Sequence, residues 1–242
     1  MQRIKMLEYA RLVVDTLPAV KAYLSDESLA AIEYIKTYDY FLGRVSGLVR
    51  RAHGGEVGTV EFSNAMSELI NGQMRNAYNT AWFDSDLGGE TSAQLPDYLE
   101  ESLSNFIASQ SNMQWSYMYY ADIQKARAGM GTLDSLISRA SLWATRWNEA
   151  YSEAMKLITM RAGGRLMWVE GDTEDKCEVC KSLDGIVAYA SLWDELNVRP
   201  QHAPNNKLQC GGWKCGCYFL PTNKRQTKDA KKKILLAVKR AS

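Results

Sequence analysis

All five cysteines of this 242-residue chain fall between residues 177 and 217, after 176 residues that contain none. Their order is Cys177-x2-Cys180, then 29 residues, then Cys210-x4-Cys215-x-Cys217. A secreted scaffold stapled by disulfides spreads its cysteines through the fold, and an odd number leaves one thiol over. Confinement to one segment points to a metal instead. Two thiolates three positions apart on a tight turn can both face one ion at about 2.3 Å, and a second group from a distant segment completes a tetrahedron. Four sulfurs around zinc make a closed, structural site with no open position for a substrate. The expected ligands are Cys177, Cys180, Cys210 and Cys215. In an extended strand Cys215 and Cys217 share a face with Cα atoms about 6.6 Å apart. That span is awkward for two ligands of one ion, so Cys217 is the expected spare. Cys217 and His202 remain alternates for the fourth position. A redox reading of Cys177 and Cys180 requires a βαβ setting that the sequence does not offer. Buried free thiols are the plainer alternative.

The texture of the chain changes near residue 163. Before it, apolar residues recur at helical spacing. The longest stripe runs from Leu133 through Leu136, Ala140, Trp143, Trp147, Tyr151 and Ala154 to Ile158, with Thr132 as its N-cap and Gly163-Gly164 as its stop. Further stripes run from Leu29 to Val49, Phe62 to Trp82 and Leu99 to Tyr120, and a first helix is expected near residues 2–17. Residues 84–94 read as an exposed loop. After residue 164, Leu166–Val169, Ile186–Ala188 and Tyr218–Leu220 read as brief strands joined by turns. The expected fold is mainly α, with a helical body over 1–163, a small α+β zinc-binding knot over 164–222 and a basic tail over 223–242. The chain is 46% hydrophobic and 24% charged, a balance that fills a core.

Charge is segregated. Residues 223–242 hold eight basic side chains against Asp229 alone, a net of +7, so the other residues carry −6 of the overall +1. Any polyanion contact, DNA included, is therefore expected along Lys224 to Arg240. Few apolar groups accompany that charge, so the tail is expected to order only against a partner. No segment approaches the 18 or more apolar residues of a membrane span. The N-terminal residues lack the apolar stretch of a secretory signal, so a cytoplasmic protein with no membrane partner is expected. An enzyme is not: there is no HExxH, no G-x-S-x-G and no phosphate-cradling glycine loop, and the only histidines are His53 and His202. The residues before Cys177 also lack the histidine and glutamate of a zinc deaminase.

The segment LMWVEGDTEDKCEVCKSLDGIV, followed by RPQHAPNNKLQCGGWKCGCYFLPT, resembles the C-terminal part of phage Mu F-like minor head proteins. The shared features are a Trp-bearing strand (Trp168), an acidic turn (Asp172 to Asp175), Cys177 and Cys180, the step Leu183/Gly185, and the closing Cys215 and Cys217. The similarity covers about residues 130–222. Many members close with His-Pro-x-Cys-x-Cys, where this chain has Gly212-Trp213-Lys214 before Cys215, and Cys210 stands in for the histidine. The resemblance implies a minor capsid protein of the phage head, assembled in the host cytoplasm. It would associate with the portal or the major capsid protein and assist head assembly and DNA packaging or delivery. The competing expectation is a nucleic-acid-binding, zinc-ribbon-like module, favoured by the basic tail and by Lys207 and Lys214 near the cysteines.

Overall fold

Twenty-nine residues of unbroken helix open the computed structural model, which describes residues 26–85, 94–110, 113–144, 146–171, 177–201, 205–212 and 216–239. The first helix expected from the sequence and most of the expected loop at 84–94 lie outside these residues. The chain divides into two compact units, Met1–Thr80 with Leu95–Trp147, and Ala81–Gln94 with Asn148–Ser242. The helix that precedes the sheet thus belongs largely with the sheet.

The first unit is built from α1 (Asp26–Gly54), α2 (Thr59–Phe83, whose last turn falls in the second unit), α3 (Asp97–Gln110), α4 (Met113–Arg127) and α5 (Leu133–Ala144). Each buries one stripe at helical spacing. Phe41, Val45, Leu48, Val49 and Ala52 come from α1; Phe62, Met66, Ile70, Met74, Ala77 and Tyr78 from α2; Leu99 and Leu103 from α3. Helix α1 packs against α4 and α5. Aromatic rings fill the space between α2, α4 and α5. Tyr119 lies 6.0 Å from Phe62 and 5.0 Å, edge-on, from Trp143, which in turn lies 4.3 Å from Trp115. The hydroxyl of Tyr119 donates to the Leu136 carbonyl at 2.6 Å, and its burial pushes its pKa up to about 12, against the pull of Arg139. Thr132 caps α5 as expected: its hydroxyl accepts from the Ser135 amide at 3.2 Å. The run Trp115–Tyr120 divides by face, with Ser116 and Tyr119 buried and Met118 exposed. The long stripe read from Leu133 to Ile158 is described as two helices, α5 and α6 (Arg146–Arg161).

The second unit holds the rest of α6, then β1 (Arg165–Val169), α7 (Glu178–Leu183), β2 (Val187–Tyr189), α8 (Ala190–Glu195), β3 (Tyr218–Thr222) and α9 (Ala230–Lys239). The three strands form an antiparallel sheet in the order β2-β1-β3, with Leu166 opposite Ala188 on one side and Trp168 opposite Phe219 on the other. All three strands were legible in the sequence; the short helices α7 and α8 were not. Alternation along β1 sends Leu166 and Trp168 into the core. There Trp168, Trp193 of α8 and Phe219 of β3 stack within 5.2–5.8 Å of one another, and the Trp193 indole N–H donates to the Leu166 carbonyl at 3.2 Å.

A polar network pins α6 to α8. The Lys156 ammonium, on a side chain only 2% exposed, bonds Glu153 at 2.9 Å and Asp194 at 2.8 Å. Arg199 closes the ring, reaching Asp194 at 3.0 Å and Glu153 at 3.4 Å. Burial of Asp194 opposes its ionisation, but Lys156 and then Arg199 outweigh it and hold its carboxyl below the usual range.

The C-terminal segment departs from expectation. Residues 230–239 do not wait for an outside partner: they form α9, which packs on α7 and β2. Ala230, Ile234 and Ala237 enter the same buried cluster as Trp168, Val179 and Trp193, with Ile234 at 0% exposure. The composition argument counted only the apolar groups that the segment brings. The sheet and α7 supply the opposing surface, and burying one isoleucine contributes about 1.5–3 kcal/mol.

Candidate metal centre

Cys177 is the N-cap of α7, and its sulfur accepts the Cys180 amide at 3.4 Å. One short helical turn therefore brings the first two thiols to one side. Val179 and Leu183 of α7 are buried in the core with Cys180 and fix that turn against the sheet. The expected tight turn between strands is thus the start of a helix.

The third thiol comes from the loop before β3. Leu208 is buried and anchors this loop. Backbone bonds from Leu208 to Asn205 (3.2 Å), from Gly211 back to Leu208 (2.8 Å) and from Asn205 to Gly211 (2.9 Å) wind it tightly. Gly211 and Gly212 hold positive φ of 63° and 80°, a conformation that costs glycine nothing, and so turn the chain directly after Cys210. The Gln209 side chain accepts the Glu178 amide at 3.2 Å, tying the loop to the first turn of α7. The outcome is that the sulfurs of Cys177, Cys180 and Cys210 all lie within 4.8 Å of one another. Sulfurs on a tetrahedral ion with bonds of about 2.3 Å sit about 3.8 Å apart, so the three can hold one metal ion with little movement.

Of the remaining candidates, Cys215 and His202 lie outside the described residues. Cys217 is described but is not one of the three sulfurs that lie within 4.8 Å of one another. It is buried at the foot of β3 among the core residues, and its carbonyl accepts from the Gln201 side chain at 2.8 Å. None of the four described cysteines is in a disulfide. On α7 itself Lys181 and Glu178 form an exposed pair at 2.6 Å, in which the Glu178 carboxylate raises the Lys181 pKa.

Two supporting features escaped the sequence reading. Gln209 carries no motif, because its partner is a backbone amide 31 residues away. Gly171, just past β1, lies against Gly216 so closely that a Cβ there would overlap the Gly216 backbone. A glycine after a strand is an ordinary turn signal, and nothing in sequence joins it to the Cys215-Gly216-Cys217 segment. Comparison with protein-family models, with curated proteins and with solved structures finds no match to the chain.

Proposed function

We propose that the protein is a minor capsid protein of a phage head, bound to the portal or the major capsid protein, with its C-terminal unit held by one structural zinc ion. The observation that carries this reading is the convergence of Cys177, Cys180 and Cys210 beside the strand that bears Trp168. Trp168, Cys177, Cys180, Leu183 and Gly185 are among the features through which the sequence resembles the Mu F-like minor head proteins, and of these Trp168, Cys180 and Leu183 share one buried cluster; Cys210 takes the place of the histidine that many members carry. Soft thiolates in a tetrahedral set favour zinc over harder cations. Cys215 is the proposed fourth ligand, with His202 and Cys217 as alternates. A shell closed by protein ligands leaves no position for a reacting molecule, so the zinc stabilises and does not catalyse.

The helical unit supplies the protein-facing surface in this reading. Tyr117, Met118, Met130 and Leu142 are large apolar side chains exposed on α4, α5 and the turn between them, and surfaces of this kind serve association. The test is purification from assembled particles. The protein should co-purify with portal or capsid subunits and contain zinc by elemental analysis. Absence from heads that package normally would overturn the assignment.

A further inference from the structure

We infer that the solvent face of α9, with the loop that leads into it, is a contact surface for the phosphate backbone of duplex DNA. The inference does not depend on the head-protein reading. It rests on what α9 does with its residues. Ala230, Ile234 and Ala237 point inward and are consumed by the chain's own core. Apart from Leu235 and Leu236, what remains outside is mainly basic: Lys224, Arg225, Lys228, Lys231, Lys232, Lys233 and Lys239 are all exposed, and Asp229 is the one acidic side chain of the segment. Lys231 is paired with Glu195 of α8 at 2.6 Å, and the Lys224 ammonium meets the Met167 sulfur at 3.5 Å.

This arrangement does not serve the helix itself. Lys231, Lys232 and Lys233 crowd the start of α9, and its first turn has no acidic residue. The start of a helix carries partial positive charge and favours anions, so cations there repel both the dipole and one another. A surface kept only for solubility interleaves both signs, whereas this chain confines a net +7 to residues 223–242 and leaves −6 elsewhere. A polyanion relieves both repulsions. Duplex DNA presents one charge per about 1.7 Å of axis, and a ten-residue helix spans about 15 Å, so several phosphates lie within reach of one face. An anionic membrane fits less well. Its binding needs a broad apolar face turned outward, and only Leu235 and Leu236 are half-exposed here.

The experiment measures binding of the full chain to a short random-sequence DNA duplex by fluorescence anisotropy over a range of salt. The logarithm of affinity should fall linearly with the logarithm of salt concentration. In a Lys232→Gln/Lys233→Gln/Lys239→Gln variant the slope should shrink by about 1 for each lysine removed. Arg44→Gln/Arg50→Gln, which removes exposed charge from α1, should leave the slope unchanged. Circular dichroism checks that each variant is folded. An unaltered slope in the lysine variant overturns the proposal, as does equal loss in the α1 variant. Binding to phosphatidylserine/phosphatidylcholine vesicles, abolished by Leu235→Ser/Leu236→Ser while the duplex is ignored, would assign the surface to membranes instead.

Discussion

Single atoms decide the neighbourhood of the cysteines. A methyl group at Gly171 would meet the backbone of Gly216, which has no side chain to rotate aside. Gly171→Ala should therefore destabilise the second unit by about 1–3 kcal/mol, the usual range for overpacking. Chemical denaturation followed by tryptophan fluorescence reads this, and a metal titration should show weakened binding in the same variant. An unchanged midpoint would mean that the strand end yields freely. Lys156 is the other sensitive residue. Lys156→Ala leaves Glu153 and Asp194 facing each other with only Arg199 between them, and an unpaired buried charge costs about 3–5 kcal/mol. Partial exposure of Asp194 places the expected loss at the lower end or below it. The same network fixes a sign with pH. The Asp194 carboxyl is depressed in the fold, so its stabilisation is present above the usual carboxylate range and is lost as pH falls through the folded value. Denaturation midpoints should decline below about pH 4, and less steeply in Asp194→Asn.

Helix α9 shows what an element owes to its surroundings. Ile234→Ala should cost about 2–5 kcal/mol, because the site is fully buried between α7 and the sheet. Hydrogen exchange should then accelerate along residues 230–239 before it does so in β1. Equal protection in parent and variant would show that the isoleucine contributes little. The sequence made the long elements legible because their signal is local. The stripe from Phe62 to Trp82 lies within α2, and the alternation at Leu166 and Trp168 marks β1. The Cys177-x2-Cys180 pair was legible for the same reason. Three things were not. The partner surface for Ile234 comes from α7 and β2, 45 to 56 positions earlier in the chain, so composition alone misjudged the segment. Helix α7 has six residues, too few to show a helical period. The bond from Glu178 to Gln209 and the contact of Gly171 with Gly216 join loops that periodicity does not reach.

For the whole molecule, metal and fold are expected to be linked in one unit and not in the other. Structural zinc contributes on the order of 10–16 kcal/mol of apparent binding free energy in finger peptides at neutral pH. The buried cluster around Trp168 surrounds the helix that carries Cys180. Chelation, or Cys177→Ser, should thus unfold the region around β1–β3 while α1–α5 keep their helical circular dichroism. Elemental analysis should give one zinc per chain, and five rapidly titrating thiols in the native protein would refute the site. The packing of α9 against α7 adds a consequence. Three consecutive lysines in a folded helix resist trypsin, and the same lysines on a loosened chain are its preferred substrate. Since Cys177 caps α7 and α9 leans on that helix, loss of the ion at one end becomes a cut at the other. The rate of clipping at Lys231–Lys233 would then report metal occupancy without a metal assay.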